Sequence, residues 1–275
     1  MKLKTFSKKA IAIFSCIMMV IISSLYVSAN DKTFVYVSIA NGELVLSYEK
    51  IEVTDIDSDG EITINDALYS AHEKHFDGGA EAGYASSLGE FGLKIDMLWG
   101  IDNNDSYGYY VNNTSAISLG DKVKSGDHVY AFLYKDLTSW SDTYSYFNIC
   151  KNDIKAGEKL DMILSYCGYD ESWNMVSLPA ENATITINGK ETEIKTDKNG
   201  KFSVDFDKDG LYILSADSDT QNLVPAVCVV NVSTASSDVT EPAKPGDTST
   251  FGYFIAAMFS FVAIIVFKMN IKKYA

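Results

Sequence analysis

The chain has 275 residues, of which 37 are acidic and 23 are lysine, since arginine is absent from the sequence. Seven of those lysines lie in the terminal segments described below, and these segments contain no acidic residue. The net charge is therefore −21 for the rest of the chain and −14 for the whole chain. Such a surface repels phosphate backbones and excludes nucleic acid as an expected partner. It attracts cations instead.

The N-terminus is typical of a secretory signal peptide. Lysines precede an apolar run from residue 10 to residue 25, and Val27-Ser28-Ala29 supplies the small residues of a cleavage site. We therefore expect residues 1–29 to be removed during export. Cys16 raises the alternative of a lipoprotein, which the bulky Phe14 and the short apolar run before the cysteine disfavour.

Residues 30–148 are predicted to form an α+β domain made of a hairpin, a calcium loop, a helix and a small sheet. Asn41-Gly42 lies between two β-prone runs and is a typical hairpin turn. An irregular or helical connection is expected from Gly83 to Gly100. The predicted strands of this domain cover residues 33–40, 43–53, 106–112 and 127–134.

The twelve residues from Asp55 to Asp66 have the spacing of an EF-hand calcium loop. Oxygen-bearing side chains occupy positions 1, 3, 5, 9 and 12, with Gly60 at position 6 and Ile62 at position 8. Ca²⁺ is a hard cation that takes about six to eight oxygen ligands. The expected ligands are the side chains of Asp55, Asp57, Asp59 and Asp66, the backbone carbonyl of Glu61, and Thr63 directly or through water.

The end of the loop is predicted to begin a helix. Thr63 can cap this helix while Asp66 reaches back to the cap, as in a capping box. Gly78-Gly79 is expected to end the helix. A single loop–helix unit needs packing on another element, and the preceding hairpin is the nearest candidate. The apolar helix face is expected to contain Leu68, Ala71, His72, His75 and Phe76.

Residues 149–232 are predicted to form an all-β sandwich of about seven strands, because short alternating runs end in frequent turns. Hairpins are expected at Asn188-Gly189 and Asn199-Gly200, and a further turn at Asp209-Gly210. The predicted strands of this domain cover residues 159–166, 183–187, 191–195, 201–206, 211–215 and 224–232.

The C-terminal part is predicted to hold the chain in a membrane. Residues 233–250 form a Ser/Thr/Pro linker, residues 251–267 an uncharged transmembrane helix of roughly 25 Å, and residues 268–275 a tail. Because lysines follow the apolar segment, the tail is expected in the cytoplasm. The folded domains would then lie outside the cell.

Other motifs favour structural roles. His72-Glu73-Lys74-His75 is one residue shorter than the zinc-protease pattern His-Glu-x-x-His, so packing is the better interpretation. The segment from Asp205 to Gly210 imitates the start of a calcium loop but has Ala216 at position 12, which favours a hairpin turn. With His128 as the remaining histidine, no catalytic triad can be argued, and no enzyme activity is predicted.

Three cysteines follow the signal peptide: Cys150, Cys167 and Cys228. One pair could bond in an oxidising exterior, whereas buried free thiols are the ordinary explanation for Cys167 and Cys228. Tyrosine-rich runs at 107–110 and 140–147 are expected mainly to pack strands. Exposed rings among them could stack on sugars or on a tetrapyrrole-like ligand.

The segments Tyr109-Tyr110-Val111-Asn112-Asn113 and Ser125-Gly126-Asp127-His128-Val129, following a hairpin and a helix, resemble a known small domain. That domain has no assigned function and also stands at the C-terminal end of transcobalamin-like proteins. The resemblance covers residues 33–136. In transcobalamin the domain closes over bound cobalamin, so the resemblance implies, by fold alone, a role in small-ligand binding.

The calcium loop resembles those of dockerin modules, which also place Asp at position 12 but carry two repeats where this chain shows one. The segment 196–201 resembles immunoglobulin-like and carboxypeptidase-regulatory-like modules of bacterial surface proteins. The C-terminus resembles the sorting signals of Gram-positive surface proteins, although Pro242-Ala243-Lys244-Pro245-Gly246-Asp247 departs from the LPxTG-type motif. Cell-wall attachment therefore stays open beside simple membrane anchoring.

Together these patterns predict a membrane-anchored surface protein of a Gram-positive bacterium that binds or adheres without catalysis and holds one structural Ca²⁺. Its partner would be an extracellular glycan, protein or small molecule that the residues do not identify. The alternative is a surface receptor that captures a small ligand, such as a cobalamin-like cofactor, for uptake.

Overall fold

The computed structural model describes residues 32–234, and this part of the chain contains seventeen strands and two helices. The predicted signal peptide, transmembrane helix and tail, and the linker from residue 235, lie outside the described residues. Within the described range, neither helix has the length and apolar character needed to cross a membrane. With seventeen strands and two short helices, the described part of the chain is mostly β-sheet.

The N-terminal half begins with an antiparallel hairpin of β1 (Thr33–Ala40) and β2 (Leu44–Val53). The predicted hairpin is confirmed, but its turn has three residues, because Ala40 pairs with Leu44. Only Gly42 in this turn has a positive φ, of 98°. Glycine tolerates that conformation without a Cβ clash, so Gly42 fixes the turn.

Two helices follow, α1 (Ile64–His75) and α2 (Gly79–Gly83). The expected end of α1 at Gly78-Gly79 is wrong: Phe76 caps the helix in an extended conformation, and the two glycines, with φ of 90° and 71°, lead into α2. His75 is exposed, whereas His72 is fully buried. The expected apolar face therefore stops one turn before the end of α1.

The predicted irregular connection from Gly83 to Gly100 is also wrong. Its residues form β3 (Tyr84–Gly89) and β4 (Gly92–Leu98), an antiparallel hairpin. Ile95 and Leu98 are buried, while Leu88 and Phe91 at the tip are exposed. Apolar residues at an exposed tip disturb the alternation that normally reveals a strand.

The main sheet of this half contains β5 (Tyr107–Val111), β6 (Thr114–Ser115) and β7 (His128–Leu133) beside the first hairpin. Its order is β2-β1-β7-β5-β6, in which only β1 and β7 run parallel. The strands predicted at 106–112 and 127–134 are confirmed. Helix α1 packs against this sheet and buries Leu68 and Ala71 in the first core.

The C-terminal half folds as a sandwich of two five-stranded sheets around a second core. One sheet has the order β11-β10-β8-β16, with β14 also paired to β10, and the other has the order β13-β12-β15-β17-β9. The strands are β8 (Thr143–Phe147), β9 (Lys151–Lys155), β10 (Lys159–Tyr169), β11 (Met175–Pro179), β12 (Thr184–Ile187), β13 (Lys190–Lys195), β14 (Lys201–Asp205), β15 (Gly210–Asp217), β16 (Leu223–Val224) and β17 (Cys228–Ser233).

The all-β sandwich is confirmed, but its predicted strand number is wrong. Three strands, β8, β9 and β11, were not expected, and the strand predicted at 224–232 is interrupted at Pro225. Proline lacks the N–H that a continuous ladder needs, so β16 and β17 join different sheets. Strand β8 belongs to the sandwich, so the predicted boundary between residues 148 and 149 falls one strand after the change of sheet.

The expected turns of the sandwich have different outcomes. Asn188-Gly189, with φ of 51° and 73°, joins the paired strands β12 and β13 as predicted. The hairpin predicted at Asn199-Gly200 is wrong, because β14 pairs with β10 in the opposite sheet. The hairpin predicted from Asp205 to Gly210 is wrong for the same reason, since it joins β14 to β15 across the sandwich.

A third, aromatic cluster joins the two halves. It contains Ala40, Tyr130, Phe132, Tyr144, Val224 and Val227. Tyr144 stacks on Tyr110 with ring centroids 3.9 Å apart and donates a hydrogen bond to Asn113 Oδ1 over 2.9 Å. The Tyr130 hydroxyl donates to the carbonyl of Pro225. For Tyr110 and Tyr144, which belong to the two tyrosine-rich runs, the predicted packing role is confirmed.

Candidate metal centre

The predicted calcium loop connects β2 to α1 and brings three acidic side chains together. One carboxylate oxygen each of Asp55, Asp57 and Asp59 lies within 4.8 Å of the other two. Among the described residues this is the one group of three acidic, histidine or cysteine side chains with such spacing. The structure thus gathers half of the six predicted ligand residues at one point.

Hydrogen bonds within the loop orient these carboxylates. Asp55 accepts from the backbone N–H of Ser58 over 2.7 Å and of Gly60 over 2.8 Å. Asp59 accepts from the N–H of Glu61 over 2.8 Å. Gly60 has a φ of 88°, in the region that favours glycine, and this turn sends the chain back past Asp55.

The negative charges of the loop carboxylates repel one another. The Gly60 N–H lowers the pKa of the Asp55 carboxyl, with further help from Ser58. The Asp59 N–H lowers the pKa of Asp57, but desolvation and the charges of Asp59 and Asp66 outweigh it and leave that pKa raised. A bound cation would relieve this repulsion.

Asp66 differs from the other three aspartates, because most of its carboxylate already accepts hydrogen bonds at the start of α1. Its Oδ2 accepts from the N–H and the hydroxyl of Thr63 over 2.8 and 2.6 Å, and its Oδ1 accepts from Ile56 N–H over 3.0 Å. This geometry confirms the predicted capping box. A carboxylate has about four lone-pair sites, so one site of Asp66 is left for a ligand role.

The far side of the loop pairs with a distant segment. Val123 N–H donates to the carbonyl of Ile62 over 2.9 Å, and Ile64 N–H donates to the carbonyl of Asp121 over 3.0 Å. The Glu61 carboxylate pairs with the Lys122 ammonium at 2.9 Å, which leaves the Glu61 carbonyl as its available ligand group. The expected packing of the loop–helix unit on the first hairpin is confirmed, because α1 packs on β2 and β1. Nothing in the sequence pattern pointed to the additional pairing with residues 121–123.

The donor set fits a hard divalent cation. Every converging group is an oxygen, and the loop contributes three converging carboxylates on one side of a tight turn, as Ca²⁺ requires. His72 does not compete for this role. Both nitrogens of His72 are occupied, by the Leu68 carbonyl at 2.7 Å and by the Trp99 N–H at 3.1 Å.

A second polar cluster lies where the two halves meet. His128 Nε2 is 2.9 Å from Ser38 Oγ, and its Nδ1 is 3.8 Å from Cys150 Sγ. Burial lowers the pKa of His128 to about 4 and raises the pKa of Cys150 to about 11. The imidazole and the thiol are therefore both uncharged at neutral pH, which suits packing better than nucleophilic catalysis.

Two further features could receive a ligand. A cleft of about 510 Å³ lies between the turn of the first hairpin and strands β12 and β15, lined by Ser47, Lys135, Glu191 and Asp217 among others. At the tip of the β10–β11 hairpin, Tyr169 is 63% exposed and Trp173 is 82% exposed, with ring centroids 6.1 Å apart. Neither feature was predicted, because cleft and pair both depend on the tertiary arrangement.

No model of a known protein family matches this chain, and no curated protein matches it. Solved immunoglobulin structures overlap it weakly. The N-terminal four Ig domains of Dscam1 isoform 9.44 are 12% identical, with 54% of this chain and 32% of that chain covered and a TM-score of 0.22. The chain thus spans about a third of that structure.

Two further solved structures overlap the chain at a similar level. The tandem Ig repeats of Dlar are 12% identical, with 55% and 75% of the two chains covered and a TM-score of 0.22. The N-terminal Ig1-2 module of the Drosophila receptor protein tyrosine phosphatase DLAR is 11% identical, with 74% and 97% covered and a TM-score of 0.24. TM-scores at this level assign the chain to no family.

Proposed function

We propose that the protein is a cell-surface binding or adhesion protein that holds one structural Ca²⁺ in the loop from Asp55 to Asp66. In this proposal residues 1–29 direct export and residues 251–267 anchor the chain in the membrane, with residues 32–234 outside the cell. Binding proceeds without catalysis, and the partner is an extracellular glycan or protein.

The observation that carries the binding proposal is the aromatic pair of Tyr169 and Trp173. Large aromatic side chains are normally buried, and two such rings side by side in solvent are typical of a recognition surface. Their flat faces suit stacking on the apolar faces of sugars or on a partner's side chains. Asp170 stabilises the tip by accepting from the N–H groups of Ser172 and Asn174, each over 2.8 Å.

The binding proposal is tested with glycan arrays and with surface proteins of the cells that a Gram-positive bacterium carrying this protein would meet. A Trp173→Ala, Tyr169→Ala variant should lose binding by at least tenfold, while its melting temperature stays within about 2 °C because both rings are exposed. Leu211→Ala is the matched control, since Leu211 is 62% exposed on a different strand. Equal binding by wild type and the aromatic variant would contradict the proposal.

The calcium proposal is supported by the convergence of Asp55, Asp57 and Asp59 and by the position of the loop between β2 and α1. When bound, Ca²⁺ supplies charge neutralisation and ties the two elements together. Outside the cell, where calcium is abundant, the site would be mostly filled. Its role is therefore structural, and it makes the exported part dependent on metal for full stability.

Calcium binding is tested by following the melting temperature during a Ca²⁺ titration. At about 100 times the Kd, binding adds about 2.7 kcal/mol, which corresponds to a rise of roughly 5–10 °C for a chain of this size. An Asp55→Ala, Asp59→Ala variant should show no such rise, and an Asp207→Ala, Asp209→Ala variant should show the full one. A wild-type curve insensitive to calcium would overturn the metal assignment.

The alternative function is capture of a small ligand, such as a cobalamin-like cofactor, for uptake. The cleft of about 510 Å³ supports it, because its volume lies in the range of small-molecule sites and its walls offer hydrogen-bonding groups. A corrinoid titration followed by visible absorbance decides between the two functions. Saturable binding that Ser47→Trp blocks would favour the receptor, and an unchanged spectrum would favour the adhesin.

A further inference from the structure

Two of the three described cysteines lie at the start of neighbouring strands: Cys228 is the first residue of β17, and Cys150 directly precedes β9. β9 and β17 run parallel, with Lys151 opposite Val229. The N–H of Val229 donates to the carbonyl of Cys150 over 2.9 Å. Cys150 and Cys228 each come one residue before that pair, the first of the ladder, so continuing the register by one residue aligns them.

Their side chains also point to the same face of the sheet. Side chains alternate along a strand, and the pair four residues beyond the cysteines, Ile154 and Val232, lies in the core of the sandwich. Cys228 belongs to that core and is fully buried. Cys150 is partly buried, and its sulfur lies 3.8 Å from the ring of the buried His128.

Residues opposite one another on adjacent strands are about 4.8 Å apart, inside the range of roughly 4.4–6.8 Å between the Cα atoms of a disulfide. We infer that Cys150 and Cys228, which are free thiols in this structure, form an intramolecular disulfide when the chain is exported into an oxidising environment. The export itself belongs to the proposed function.

Cys167 is excluded from this pair by its position. It lies on β10 in the opposite sheet, opposite Ser177 of β11. Its sulfur lies 4.0 Å from the carbonyl of Asn113. It therefore stays a free thiol, half-buried at the junction of the two halves.

The oxidant is a disulfide, either a small molecule such as oxidised glutathione or a dithiol–disulfide protein. The Cys150 thiolate attacks the oxidant, a mixed disulfide forms, and one thiol leaves with the proton of Cys150. The Cys228 thiolate then attacks the Cys150 sulfur, and the second thiol leaves with the proton of Cys228. Two thiols of the chain become one disulfide while one disulfide of the oxidant becomes two thiols.

Burial decides when this exchange occurs. Desolvation raises the pKa of Cys150 to about 11, and desolvation together with the neighbouring Cys150 raises the pKa of Cys228 to about 12. Thiolates are then scarce in the folded chain, and thiol–disulfide exchange needs a thiolate. The disulfide should therefore form while the chain folds. If the chain has already folded in reductant, its buried thiols should react slowly with the oxidant.

The bond would secure an edge of the sandwich. β9 is an edge strand whose pairing within its sheet is with β17 alone. β17 is the last described strand of the sandwich and β9 follows β8, the first. A covalent link between them closes most of the sandwich into one loop, which restricts the unfolded chain more than a short loop does.

The test uses the full chain in detergent, refolded once with oxidised glutathione and once in reductant, and mapped after trypsin cleavage without reduction. Because trypsin cleaves after lysine but not at the Lys244-Pro245 bond, the four cysteines of the full chain fall in separate peptides, 10–32, 136–151, 160–190 and 209–268. The expected result is a link between 136–151 and 209–268 in the wild type and in Cys167→Ser, and no link in Cys150→Ser.

Stability provides a second readout. Reduction of the oxidised wild type should lower its melting temperature by about 10 °C, whereas the Cys150→Ser, Cys228→Ser variant should be insensitive to reductant. Four alkylatable thiols in the full chain after oxidative refolding, or a link that involves 160–190, would overturn the inference. Since the refolding is done in vitro, either result is independent of whether the chain is exported or binds a partner.

Discussion

The backbone N–H of Trp99 donates a hydrogen bond to Nε2 of His72 over 3.1 Å, while Nδ1 of the same ring donates to the Leu68 carbonyl over 2.7 Å. These two bonds select the neutral imidazole with its hydrogen on Nδ1. A second proton would have to sit on Nε2, where the Trp99 N–H already points. The ring is also fully buried, stacked on Tyr84 with centroids 5.0 Å apart.

This arrangement makes the protein sensitive to acid. Burial lowers the pKa of His72 from 6.5 to about 4. Between these values the unfolded chain binds a proton that the folded chain does not, so stability present above pH 6.5 is lost as the pH falls towards 4. The loss from His72 is about 3 kcal/mol, and His128, with a pKa also near 4, adds to it in the same direction.

Urea denaturation at a series of pH values between 7 and 4 measures this loss. His72→Gln should remove about half of the pH dependence, because an amide can donate to Leu68 and accept from Trp99 without titrating, while His128 remains. His75→Gln is the control, since His75 is exposed and should leave most of the profile unchanged. A His72→Gln profile as steep as that of wild type would show that other groups cause the acid loss.

The capping box gives a prediction that is independent of metal. In Thr63→Ala the hydroxyl that bonds to Asp66 is lost, and with it the side-chain cap of α1. Removing such a cap costs about 1 kcal/mol. The measurement is the free energy of unfolding in EDTA, so that a ligand role of Thr63 does not contribute. Thr63→Ser keeps the hydroxyl and should lose less than half as much; an equal loss would assign the effect to the methyl group.

Gly60 tests whether the turn matters more when calcium is bound. Its φ of 88° is unfavourable for alanine, so Gly60→Ala should cost about 1–2 kcal/mol in saturating Ca²⁺. In EDTA the loop can relax away from the strained conformation, and the cost should fall below about 1 kcal/mol. Both values come from urea denaturation. Gly120→Ala, whose φ is not positive, should stay within about 0.5 kcal/mol in both conditions; an equal cost for Gly60→Ala in both would show that calcium does not fix the turn.

Features set by neighbours in sequence could be predicted from residues alone. The Thr63–Asp66 capping box and the Asn188-Gly189 turn each depend on a few adjacent residues, whose chemistry is complete without the rest of the chain. The convergence of Asp55, Asp57 and Asp59 has the same origin, because one short loop with Gly60 supplies all three carboxylates.

Features set by distant pairing could not be predicted in this way. Asn199-Gly200 has the composition of a hairpin turn, but the strand that follows it, β14, pairs with β10. β10 is distant in sequence, so the residues near the turn do not reveal this pairing. The pairing of Ile62 with Val123 and the alignment of Cys150 with Cys228 depend likewise on which strands become neighbours. Local propensity predicts that a segment forms a strand, but it does not predict which other strand it pairs with.

The aromatic cluster predicts how the two halves unfold. Tyr144 is almost fully buried, stacks on Tyr110 of the first sheet and sits beside Val224 of the sandwich. Because it contacts both halves, wild type should unfold in one transition. Tyr144→Ala should cost about 3–5 kcal/mol and split unfolding into two transitions, seen as non-coincident fluorescence and circular dichroism curves. Tyr169→Ala, with an exposed ring, should keep a single transition at nearly the same midpoint. A single transition in Tyr144→Ala would mean that the other contacts between the halves are enough to couple them.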